Sequence, residues 1–146
     1  MMHTKIKGLL YGCLIGIASI AHADIAVIVN PANSGASATR SEIQQIFLGL
    51  QTKLSNGATI APVDQGQEQP IRQTFYELVA GKSPVQMKTY WSRLMFTGRG
   101  TPPQVLSDGN AVKQHVASDK NAIGYIDASA AHGASNVSTI FTIPTQ

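Results

Sequence analysis

The residues of this sequence that could do chemistry lie mostly in one polar stretch. Asp64, Gln65, Gly66, Gln67, Glu68, Gln69 and Pro70 follow one another, and Arg72 stands two places further on. The guanidinium of Arg72 has the planar fork that fits an oxyanion. Asp64 and Glu68 are the residue types of an acid/base pair. They lie at a loop-to-helix junction, however, with no histidine or activated nucleophile beside them in sequence. No Ser-His-Asp or Cys-His arrangement is legible elsewhere, so no catalytic residue is assigned and the chain reads as a non-enzyme. Arg72 also has a plainer reading, in which it turns back to Asp64 or Glu68 as a surface ion pair.

Two more segments could touch a ligand. Asn33, Ser34, Gly35, Ser37 and Thr39 make a hydroxyl-rich loop whose backbone N–H groups could cradle an anion. The same residues also read as an ordinary strand-to-helix loop, with Thr39 and Glu42 spaced as a capping box. Arg99, between Gly98 and Gly100, is a partner-contact candidate on an exposed loop. Arg93 near a helix end is accounted for by the helix dipole. His115 and His132 have no metal-ligand spacing with each other or with a carboxylate pair, so neither a metal nor a cofactor is expected.

The elements that must position these residues follow from pattern. Ile25 to Val29 is a short apolar, β-branched run and predicts a buried strand. Ile43, Ile46, Phe47 and Leu50 fall on one helical face, with Gly49 as the stop. Asn56-Gly57 marks a turn, and Thr59 to Val63 predicts a second strand. Pro70 suits the first turn of a helix carrying Ile71, Phe75, Leu78 and Val79, closed by Gly81. Ser83-Pro84 starts another, with Tyr90 and Trp91 as packing residues. Gly98 to Pro103 reads as a loop. Ser107 or Asp108 can cap a helix holding Val112, His115 and Val116. Ala122 to Ile126 predicts a strand whose Gly124 marks a close approach, and Ser138 to Ile143 a last strand. Strands alternating with helices give the class α/β with a partly parallel sheet.

The amino end has its own pattern. Lys5 and Lys7 precede an apolar run from Gly8 to Ile20, which closes on Ala21-His22-Ala23. That is the layout of a signal peptide at 1–23, cleaved after Ala23. The run falls short of the roughly 20 residues needed to span a bilayer. The expected product is one domain, 24–146, exported to the periplasm and not inserted in the membrane. Its only preceding cysteine, Cys13, leaves with the signal, so no disulfide is expected. Loss of two of the 11 basic residues leaves nine against eight acidic ones, a charge of about +1. With no basic block, nucleic-acid binding has no support.

Taken in order, several segments carry a family likeness. They are Glu42-Ile-Gln-Gln-Ile-Phe-Leu-Gly49, Asn56-Gly57, Ile60-Ala-Pro-Val-Asp64, Arg72-Gln-Thr-Phe75, Tyr90-Trp91, Gly98-Arg-Gly100 and Ala122-Ile-Gly-Tyr-Ile126. This order resembles the phosphate-type periplasmic substrate-binding proteins of ABC transporters, in a short single-lobe branch. The resemblance implies a single lobe similar to a type II periplasmic-binding-protein domain, with a mixed, mostly parallel sheet flanked by helices. It implies non-covalent binding of phosphate, another small oxyanion or a different small ligand, and a membrane transporter as partner. Where that family has an Arg and then a Ser-Gly-Thr turn, this sequence has Asp64 and then Glu68-Gln69-Pro70. Two carboxylates repel a phosphate dianion, and Pro70 offers no N–H. A second reading therefore stands beside the first: a periplasmic interaction or sensor-accessory module that kept the lobe fold and lost phosphate binding. The ligand set expected on the first reading is Ser34, Ser37, Thr39, Asp64, Gln65, Gln67, Glu68, Gln69, Arg72 and Arg99.

Overall fold

The computed structural model describes Gly16 and residues 23–146. Apart from Gly16 and Ala23, the predicted signal peptide lies outside the described residues. The elements are β1 (Ile25–Val29), α1 (Arg40–Phe47), β2 (Ala61–Gln65), α2 (Pro70–Ala80), α3 (Pro84–Phe96), β3 (Gln104–Leu106), α4 (Gly109–Ser118), β4 (Ala122–Asp127), α5 (Ala128–Ala131) and β5 (Ser138–Ile143). They form one mixed α/β unit whose sheet has the strand order β3-β2-β4-β1-β5. β2 pairs parallel with β3 and β4, while β1 pairs antiparallel with β4 and β5. Four strands thus point one way and β1 alone points the other, a mixed and mostly parallel sheet.

Alternation along the central strands builds two cores. Ile25, Val27, Val29, Ile123 and Tyr125 face α1, α2 and α3, where they meet Ile43, Phe47, Phe75, Tyr76 and Trp91. Ala26, Ile28, Ala122 and Ile126 face the opposite way, onto Val112 and Val116 of α4. Every residue of β1 is buried, which is why that run is apolar on both faces. Gly124 of β4 faces α4. A Cβ there would collide with Val112 and stand 3.1 Å from Val63 Cγ2, so the glycine lets the helix approach.

Helix ends follow their sequence signals. Thr39 and Glu42 close a capping box on α1, and Ser83 and Gln86 close one on α3. Asp108, not Ser107, caps α4 by accepting from Ala111 N–H. α1 stops at Phe47 in a Schellman arrangement: Gly49 has φ 75°, Gly49 N–H donates to Ile46 O and Leu50 N–H to Gln45 O. Leu50 therefore leaves the apolar face on which the helical spacing put it and is exposed. One strand and one α-helix have no counterpart in the sequence reading, the three-residue β3 and the one-turn α5. β2 also begins and ends two residues later than its apolar run, so Asp64 and Gln65 belong to the sheet and not to the polar loop.

Candidate functional site

The parallel strands β2 and β4 point their carboxyl ends at the amino ends of α2 and α4. Between them is a crevice of about 300 Å³, lined by Gln65, Gln69, Pro70, Ile71, Thr74, Gly109, Ile25 and Asp127 among others. In open α/β sheets this is the end at which ligands bind. Gln65 is almost fully buried and its side-chain N–H donates to Tyr125 O at 2.8 Å. Gln69 precedes α2 without capping it, and no acidic residue lies in that helix's first turn. Its amide N–H is spent instead on Ser107 O at 3.2 Å, which ties the start of α2 to the loop before α4. α1, α3 and α4 all have side-chain caps, so α2 alone among these helices leaves its amino end uncapped, and it faces the crevice. Asp127, exposed, contributes a negative charge to the same lining.

Asp64 sits one residue deeper and has a different role. Its Oδ1 accepts from Gln65 N–H at 2.8 Å and from the Tyr125 hydroxyl. Its Oδ2 accepts from the Tyr76 hydroxyl at 2.8 Å and from Arg72 Nε at 3.2 Å. Both carboxylate oxygens are thus doubly bonded to donors. The Arg72 guanidinium also lies over the Tyr76 ring, 5.1 Å from its centre. The pairing of Arg72 with Asp64 follows the plainer reading of the sequence, but it is internal and not on the surface. The two side chains are 11% and 3% exposed. Asp64 is in effect the anion of its own cradle, so a ligand from solvent has no access to it. Glu68 is exposed, and its carboxylate folds over Gly66, where only the missing Cβ leaves room. Gln67 is exposed on the same turn.

The predicted site residues divide between the two ends of the sheet. β1 pairs Val29 with Ile123 at the start of β4, so the 30–39 segment leaves at the amino end of β4. β2 pairs Ala61 with Ala122 and runs the same way as β4, so Gln65 to Gln69 lie at the other end. A strand of this length separates the two groups by roughly 15 Å. Ser34, Ser37 and Thr39 therefore do not join Gln65 and Gln69. They serve their own loop: Thr39 caps α1, Ser37 exchanges hydrogen bonds with Ser55, and Ser34 N–H donates to Pro31 O. Arg99 also lies away from the crevice, on a groove beside the start of β2. Sequence reasoning missed Tyr76 and Tyr125. The signal was available for Tyr125, since a phenol at an inward position of an apolar strand needs a buried partner.

Burial, and then the charge of Asp64, raise the phenol of Tyr76 well above its ordinary value. The same causes in the same order raise Tyr125. Free tyrosine ionises near pH 10. Above that pH the unfolded chain releases phenolic protons that the folded chain keeps. Stability is therefore full below about pH 10 and falls as pH rises beyond it. A spectrophotometric titration should show most phenolate absorbance appearing together with unfolding. All three tyrosines of 24–146 ionising near pH 10 in a folded protein would refute the buried network.

Comparison with known proteins places the fold. No family model matches the sequence, and no curated protein matches it. Solved structures do. An ABC-type phosphate transport receptor from Vibrio cholerae superposes with a TM-score of 0.63 at 22% identity, over 82% of this chain and 46% of that one. The chain has the fold of part of a phosphate-type ABC transporter substrate-binding protein. A Clostridium perfringens protein, provisionally assigned as a phosphate ABC transporter substrate-binding protein and solved with bound phosphate, gives 0.61 at 25% identity, over 82% and 45%. PstS from Borrelia burgdorferi gives 0.61 at 14%, over 82% and 47%. This lobe-like chain spans less than half the length of these solved proteins.

Proposed function

We propose that the chain is an exported, non-catalytic binding module that holds a small polar ligand, in the first instance an oxyanion, in the crevice where α2 and α4 begin. The uncapped amino end of α2 carries this reading. The positive end of its dipole, with no side-chain cap and no acidic residue in its first turn, meets a crevice formed by the carboxyl ends of β2 and β4. The likeness to phosphate-type substrate-binding proteins supports it. Gln65, Gln69 and Thr74 supply the neutral polar lining. Asp127 opposes a dianion, so a singly charged oxyanion is the better fit. Recognition is by hydrogen bonds, without covalent change, and the occupant is passed to a membrane transporter. Residues 1–23 direct export, and the working protein begins at Asp24.

The test uses protein recovered from the periplasm. Its mass should correspond to a chain starting at Asp24, and calorimetry with phosphate should give saturable heat at millimolar concentration or below. A folded protein that gives neither heat nor a melting shift with millimolar phosphate, or with a singly charged oxyanion such as nitrate, would sink the oxyanion reading.

One observation favours the second reading, an interaction or sensor-accessory module without a phosphate site. Asp64 already consumes a guanidinium N–H, two phenols and a backbone N–H that could otherwise serve an anion. In that case the calorimetric cell stays silent, and the exported protein is recovered in complex with a membrane sensor or transporter component.

A further inference from the structure

The second cavity lies at the end of the sheet away from the crevice and is the larger, a groove of about 770 Å³. It exists because β3 is short. Pairing of β2 with β3 begins only at Val63 and Gln104, so Ala61 and Pro62 have no strand beside them on that edge. Pro62 has no N–H to leave unpaired there. The loop carrying Gly98, Gly100, Pro102 and Pro103 borders the opening instead. Leu50, which the early stop of α1 leaves exposed, lies on the rim.

Three features of the groove bear on what it could hold. Trp91 lines it and is only 6% exposed, yet its indole N–H is buried with no hydrogen-bond partner. A buried donor without a partner is unfavourable, so the indole is sensitive to any shift in the packing around it. Arg99 lines it and makes no ion pair among the described residues. Leu48, Leu50, Pro62 and Leu94 give the groove apolar walls, and its volume falls in the range of about 300–1,000 Å³ typical of small-molecule sites.

We propose that this groove binds an apolar monocarboxylate, its body against Trp91, Leu50, Pro62 and Leu94 and its carboxylate paired with Arg99. One charge fits and two do not. Apolar walls solvate a dianion poorly, and Asp119, 3.7 Å from His115 Nε2, already places a carboxylate in the lining. The site is separate from the crevice and does not depend on the oxyanion reading.

Trp91 is the sole tryptophan, so its fluorescence reports on the groove directly. Titration of the exported protein with octanoate should give a saturable change in emission. Octylamine and octanol should bind about tenfold more weakly or worse, the scale of one charge-assisted contact. Arg99→Gln should weaken octanoate to a similar extent at an unchanged melting temperature, and phosphate should not compete. Three results would each overturn the assignment: no saturable change at millimolar octanoate, an equal response to octylamine, or displacement of octanoate by phosphate. Unaltered octanoate affinity in Arg99→Gln would remove Arg99 from the site and with it the preference for a carboxylate.

Discussion

Asp64→Asn should lower unfolding stability by about 3–5 kcal/mol, the usual cost of removing one partner of a buried ion pair. The substitution keeps shape and removes charge. Arg72 then remains largely buried with its cation uncompensated, and two phenols lose their strong acceptor. Domains of this size are stable by only about 5–15 kcal/mol, so the loss is a large fraction of the total. Urea unfolding measures it as a lower midpoint at constant slope. Combining Asp64→Asn with Arg72→Gln should recover part of the loss, because the stranded charge is gone. A shift below about 1 kcal/mol for Asp64→Asn would mean that the network contributes little.

Phe75→Ala should cost a similar amount, about 3–5 kcal/mol, through the cavity it leaves. Phe75 is fully buried and stacks on Tyr125 with ring centres 3.9 Å apart and planes 3° from parallel. Phe47 and Tyr76 meet its ring edge-on at 4.8 Å and 5.2 Å. Truncation frees the Tyr125 ring, and with it the hydroxyl that holds Asp64. The effects of Phe75→Ala and Asp64→Asn should therefore sum to more than the loss in the double variant. Strict additivity would show that packing around Tyr125 and the carboxylate network are independent.

These two residues mark the boundary of what was legible beforehand. Phe75 could be placed in the core from its spacing with Ile71, Leu78 and Val79 alone, because a helix repeats every 3.6 residues whatever surrounds it. Asp64 read as a loop residue facing solvent or ligand, because a carboxylate after an apolar run is usually exposed. Its burial depends on Tyr125, 61 positions away, and on Tyr76 in the next helix. β3 was invisible for a related reason. Three mostly exposed residues have no periodicity of their own, and β2 makes them a strand by lying alongside.

The polar stretch that first stood out has thus been divided. Gln65 and Gln69 remain at a crevice, Asp64 and Arg72 close on each other inside the protein, and Gln67 and Glu68 form an exposed turn. By itself the sequence determined the alternation of strands and helices, the capping box of α1, the start of α3 at Ser83-Pro84, the glycine that lets α4 pack on β4, and the charge of the chain. All of these are set by residues near one another in the chain or by the period of a single element. Only the tertiary structure decided which polar residues meet. The antiparallel course of β1 sends the Ser34 to Thr39 loop to one end of the sheet, and the parallel course of β2 sends Gln65 to Gln69 to the other. Strand direction is a property of the assembled sheet, and no local run of residues encodes it.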